Sequence, residues 1–198
     1  MRVGIFDGTF DPVHEGHIAM AQYAKAHFAL EKIIFVPNGN PPHKSGKKIE
    51  SFSHRFNMLR LACRGHEGFE ISDYENKAQF SYSLETMRHF RALYGEAYFI
   101  IGADSLVTIH LWHEYEKLLA ENKFIVFMRG RPEPFLECVQ RYRQGGAQIA
   151  VAQMDEVQAS STAVRSLESA GKTAAEFLNP EVEKYIKEHG LYGGLHDS

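Results

Sequence analysis

"GIFDGTFDPVHEGHIAM" (residues 4–20) is the stretch on which the fold turns. A short apolar run opens it, a Gly-Thr-Phe-Asp-Pro turn follows, and two histidines three apart lead into an alanine-rich helical pattern. A strand that hands over to a helix through a glycine-bearing turn is the start of a strand–helix–strand unit. The spacing predicts a strand over 3–6 and a helix over 17–30. "KIIFVP" (Lys32–Pro37) is then the second strand, stopped by its proline.

The same alternation continues along the chain. "AYFII" (97–101) and "KFIVFM" (123–128) are unbroken apolar runs of the kind found in strands buried on both faces. "QIAVAQ" (148–153) is a further strand and "FEIS" (69–72) a weaker one. Between them lie helical patterns. Phe56, Leu59, Ala62 and Cys63 follow a cap expected at Ser53, and Leu84, Met87, Phe90 and Leu93 recur until Gly95. One unbroken helix is predicted over 104–121, another around 135–143, and two in the tail over 161–170 and 180–189. The expected fold is therefore α/β: a Rossmann-like, doubly wound, mostly parallel sheet with helices on both faces. At 198 residues the chain reads as a single domain, 1–198, with a small helical C-terminal part over about 160–192.

Composition narrows the partners. A net charge of −3 argues against a polybasic nucleic-acid or membrane binder while leaving room for a local positive pocket. Cys63 and Cys138 are far apart and form no metal or disulfide pattern, which fits a reducing compartment. No apolar run reaches the ~18 residues of a membrane span. The apolar strand begins at Val3, which leaves no room for a signal peptide, so a soluble cytoplasmic protein is expected. Oligomeric state is not legible.

Open parallel sheets bind ligands beyond the carboxyl ends of their strands. Five polar stretches should open on that edge: "GTFDPVHEGH", "NGNPPHK", "GAD", Arg129 and "ASSTAVR". His14 and His17 lie at a helix start, where backbone N–H groups form an anion site. Their spacing lacks the i, i+4 pattern of a zinc pair, so phosphate is the better partner than metal. One capping and one packed histidine would be the structural alternative. Ser160, Ser161 and Thr162 ahead of Arg165 are an ordinary N-cap read alone, and a polyphosphate grip read with the histidines. Lys44 in a proline-stiffened loop, Asp104 as a helix cap and Trp112 as a core anchor each have an ordinary structural reading too. Their joint placement on one edge favours a site.

"GTFDPVHEGH" resembles the GTFDPxHxGH signature of the nucleotidyltransferase superfamily, and "ASSTAVR" resembles its ISSTxxR element. "VPNGNPPHK", "SYSLETM", "IGADSLVTIHLW" and "YIKEHGLY" together are similar to bacterial nicotinate-nucleotide adenylyltransferases, over residues 4–192. The resemblance implies adenylyl transfer from ATP, with Mg²⁺ carried on it, to nicotinate mononucleotide, giving deamido-NAD and pyrophosphate. It implies catalytic roles for His14, His17 and Arg165. ATP would lie on Gly8, Thr9, Phe10, His14, His17, Gly102, Ser160, Ser161, Thr162 and Arg165. The acceptor would lie on Lys44, Ser83, Asp104, Trp112, His113 and Arg129, with Trp112 stacking on the pyridine. The Ser83 hydroxyl and the His113 N–H would donate to the pyridine carboxylate and favour the acid nucleotide tenfold or more.

Two positions depart from the pattern. Asp7 stands where the family usually has glycine, so its carboxylate must turn from phosphate or be held by a cation, and Ala159 replaces the usual isoleucine. The same residues would also serve transfer to nicotinamide mononucleotide or another phosphorylated acceptor, or a non-catalytic nucleotide sensor.

Overall fold

Six strands pair in the order β3-β2-β1-β4-β5-β6, every neighbour parallel. They are β1 (Arg2–Gly8), β2 (Lys32–Pro37), β3 (Phe69–Ile71), β4 (Glu96–Gly102), β5 (Lys123–Phe127) and β6 (Gln148–Ala152). The computed structural model describes residues 1–39, 49–76, 82–128, 132–154 and 159–193. The order reverses between β1 and β4, which is the switch point of a doubly wound sheet. The expected α/β architecture is the one observed.

Eight helices cover the sheet among the described residues: α1 (Glu15–His27), α2 (Phe52–Ala62), α3 (Ser83–Tyr94), α4 (Ala103–Val107), α5 (Tyr115–Glu121), α6 (Pro132–Gln144), α7 (Ser161–Ser169) and α8 (Pro180–Glu188). Strand alternation separates two cores. Phe6, Ile33, Phe35, Ile100, Ile125 and Phe127 face one side with Ala21, Ala24, Met58, Leu59, Val164 and Ile186. Val3, Ile5, Ile34, Phe99, Phe124 and Val126 face the other with Leu84, Met87, Phe90, Leu118 and Phe135. Burial on both faces is why these strands read as continuous apolar runs. No helix among the described residues is long and apolar enough to cross a membrane.

Four local expectations are corrected. The α2 cap is Ser51, whose Oγ accepts from His54 N at 3.2 Å; Ser53 lies inside the first turn. The predicted 104–121 helix is broken into α4, a 3₁₀ turn (Ile109–Leu111) and α5. Thr108 Oγ1 takes the Asp104 carbonyl at 2.9 Å, a local bond that competes with helix propagation, and Glu114 then adopts φ 50°. Gly102, rather than Asp104, occupies the N-cap of α4. Leu93 continues the spacing of Leu84, Met87 and Phe90 yet is 61% exposed, because a strict three-residue spacing drifts around a 3.6-residue helix and carries position 93 off the core face.

Candidate active site

The β1–α1 turn is built around Phe10. Its ring is buried against Phe6, Phe35 and His17, and its backbone takes φ 50°. Left-handed backbone is costly for a bulky residue and persists only where its surroundings hold it. Gly8 serves this turn differently from the sequence expectation: it ends β1 and leaves space for the Phe10 ring, whose Cζ would sit 2.9 Å from an added Cβ.

His14 is the N-cap of α1, extended and buried, and His17 lies three residues on. Their ring centroids lie 3.7 Å apart, with the planes tilted by 32°. The His14 N–H donates to His17 Nδ1 at 3.2 Å. With Nδ1 accepting, a neutral His17 carries its proton on Nε2 and presents a donor. His17 lines a cleft of about 220 Å³ together with Asp7, Gly8, Asn38, Ser83 and Trp112. Thr9, Phe10, Gly102 and Asp104 line it as well.

The N-terminus of α7 closes the other side of the turn. Ser160 is the cap and accepts from Ala163 N at 3.1 Å. Ser161 Oγ donates to the Pro12 carbonyl at 2.9 Å, so its proton is spent on docking the helix. Arg165 donates through Nη1 to the Asp11 carbonyl at 2.6 Å and through Nη2 to Thr162 Oγ1 at 3.3 Å. The histidine turn and the arginine helix, 154 residues apart at this contact, are therefore joined directly. The Ser161 and Thr162 N–H groups occupy the first turn, where helical amides have no intrahelical acceptor.

At the acceptor end, Trp112 is half-buried with its ring 6.3 Å from Phe99 at 62°. His113 is exposed, and its ring packs on Tyr82 at 4.3 Å, which sets the start of α3 beside the 112–113 turn. Neither the Ser83 nor the His113 N–H has an acceptor among the described residues. The Ser83 hydroxyl differs from expectation: it donates to Asp7 Oδ2 at 2.9 Å. Asn38 Nδ2 donates to Asp7 Oδ1, so donors from two elements hold the Asp7 carboxylate. Lys44 and Arg129 lie outside the described residues.

Sequence reasoning missed the support beneath the turn. Arg55 is 2% exposed and donates to the carbonyls of Thr9 and Asn38 at 2.8 Å and of Glu50 at 2.9 Å. Burial lowers its pKa, and the nearby Asp11 carboxylate opposes that fall. Asp11 accepts from Tyr192 Oη at 2.7 Å and Glu50 N at 3.3 Å. Burial first, then the Asp11 charge, pushes the Tyr192 phenol above its ordinary range. Glu75 is buried and accepts from Thr86 Oγ1 at 2.6 Å. The available signal was Arg55 itself: it continues the 58, 59, 62 stripe of α2 backwards, so a charge sits on a core-facing position.

A histidine pair and an arginine-bearing helix N-terminus facing each other beyond a parallel sheet define a nucleotidyltransferase of the cytidylyltransferase-like class, and the profile of that family, "Cytidylyltransferase-like", matches residues 5–167. A protein of Caldicellulosiruptor bescii described as "probable nicotinate-nucleotide adenylyltransferase" is 38% identical over 198 residues, covering 97% of this chain and 99% of that one. One from Desulfitobacterium hafniense with the same description is 39% identical, covering 96% and 95%. The chain belongs to the nicotinate-nucleotide adenylyltransferase family. Among solved structures, Plasmodium falciparum nicotinic acid mononucleotide adenylyltransferase complexed with NaAD superposes with a TM-score of 0.83 at 20% identity, covering 96% of this chain and 97% of that one. That likeness shows the common fold.

Proposed function

We propose that the chain acts as one nucleotidyltransferase domain that transfers the adenylyl group of ATP to nicotinate mononucleotide, releasing pyrophosphate and forming deamido-NAD. The observation that carries this reading is His17, its Nδ1 occupied by the His14 N–H, in the same cleft as Trp112. A phosphate donor site and an aromatic acceptor site thus share one opening.

The acceptor brings its own anionic phosphate as nucleophile, so no serine nucleophile or strong base is needed. Catalysis is positioning and charge stabilisation in an in-line displacement. The acceptor phosphate oxygen bonds to the α-phosphorus as the bond to the bridging oxygen breaks, and pyrophosphate leaves with that electron pair. His17 donates from Nε2 to phosphate oxygens as charge develops, and buried His14 holds its ring. Arg165 and the first-turn amides of α7 grip the departing pyrophosphate. Mg²⁺ carried on ATP would be bound mainly by substrate and water rather than by side chains, and would supply charge neutralisation on the phosphate chain. Trp112 stacks on the pyridine, and the Ser83 and His113 N–H groups meet its carboxylate. Lys44 and Arg129 serve the acceptor phosphate. The two cysteines fit a cytoplasmic setting; burial pushes the Cys63 thiol up to about 12, leaving it unreactive.

The test is pyrophosphate release from ATP, Mg²⁺ and nicotinate mononucleotide, with deamido-NAD identified by mass. ATP binding without product would make the chain a nucleotide sensor instead.

A further inference from the structure

The Ser83 hydroxyl has one proton, and it points at Asp7 Oδ2. Both residues line the cleft with Trp112. What Ser83 Oγ can offer a ligand there is a lone pair, so this wall accepts hydrogen bonds where a carboxylate-selective wall would donate them. The Ser83 and His113 N–H groups remain as donors beside it. A pyridine carboxylate has only acceptors and satisfies the donors alone. A pyridine carboxamide has both: its oxygen takes an N–H and its NH₂ donates to Ser83 Oγ. A group left facing its own kind in a buried site loses a hydrogen bond.

We propose that Asp7 is a specificity-determining residue which, by drawing the Ser83 proton away from the cleft, lets this enzyme use the carboxamide mononucleotide alongside the carboxylate one. The proposal rests on the adenylyl-transfer reading of the same cleft. The chemistry is unchanged; only the group recognised on the pyridine ring differs. Asn38 makes the idea testable with one near-isosteric change. It donates to Asp7 Oδ1, so in Asp7→Asn the side-chain oxygen stays on Asn38 and the new NH₂ falls against Ser83 Oγ. The serine must then turn its proton toward the ligand, and the wall becomes a donor.

The experiment compares kcat/KM for nicotinate and nicotinamide mononucleotides in the wild type, Asp7→Asn, Ser83→Ala and the double variant, with calorimetric binding of both nucleotides alongside. The wild type is expected to use the two within tenfold of each other. Asp7→Asn should raise the acid-over-amide ratio tenfold or more, about 1.4 kcal/mol. In the Ser83→Ala background that rise should vanish, because there is no hydroxyl to reorient. An unchanged ratio in folded Asp7→Asn overturns the proposal. So does an equal rise without the serine, which would mean that removing the charge acts directly. Binding of both nucleotides without pyrophosphate release removes the adenylyl-transfer reading alone, and the calorimetric affinity ratio in the same four proteins then decides the role of Asp7. Binding of neither removes both.

Discussion

Arg55→Met tests whether the buried guanidinium holds the phosphate turn. The change keeps the stem volume and removes a charged donor from three carbonyls, those of Thr9, Asn38 and Glu50. Bonds from charged donors contribute about 1.5–3 kcal/mol each, but the variant also avoids the cost of burying a guanidinium. Each buried carbonyl left without a donor costs about 1–3 kcal/mol, and with the burial cost of the guanidinium removed the expected net loss is about 3–5 kcal/mol. For a chain of this size each kcal/mol lowers Tm by roughly 2–4 °C, so calorimetry should show a fall of about 6–20 °C. Arg55→Lys retains the charge but places it at one point, and should recover only part of the loss. ATP affinity, titrated where each variant is folded, should fall in the same order because Thr9 belongs to the turn. A Tm for Arg55→Met within 2 °C of wild type would refute the reasoning, since the three carbonyls would then have found equivalent partners.

Three further outcomes follow from the site. His17→Ala should fold normally and lose turnover by a factor on the order of 10²–10³, the scale of one transition-state donor; pyrophosphate release at the wild-type rate would return His17 to a packing role. Arg165→Lys should weaken ATP binding more than acceptor binding, because a point charge replaces a fork already bonded to Asp11 O, and the reverse pattern by titration would mean the residue serves the acceptor. Tyr192 keeps its proton to a higher pH folded than unfolded, so its contribution is complete below about pH 10 and drains away as pH rises above that. Tyr192→Phe should therefore show a shallower loss of stability on the alkaline side than wild type, and parallel denaturation curves from pH 8 to 11 would contradict this.

The central strands β1, β2, β4 and β5 were legible because each is buried on two faces and reads as a run such as "AYFII", whereas the half-buried β3 gave only the weaker "FEIS". The histidine turn was legible for a related reason: its parts lie within a few residues, and His14 reaches His17 across one helical turn. Other features depend on partners that sequence distance hides. Asp7 finds Ser83 from 76 positions away, and Arg55 reaches Thr9 from 46. A hydroxyl can donate or accept, so nothing in "SYSLETM" says where the Ser83 proton goes until the carboxylate beside it is known. The broken 104–121 helix failed for a smaller reason. Thr108 fits a helical pattern as a residue type, while its hydroxyl competes for the carbonyls that would carry the helix on.

Asp11 accepts from Arg165 and from Tyr192, partners 154 and 181 residues further along the chain. Contacts of that separation are slow to form because so much chain must be ordered before they close. A chain made from its N-terminus has β1, the histidine turn and α1 long before it has α7 or Tyr192. On the proposed reading the nucleotide cradle is therefore among the last parts to be completed, and full ATP affinity would require a finished molecule. Ligand affinity would then report on whether the two ends of the chain have met.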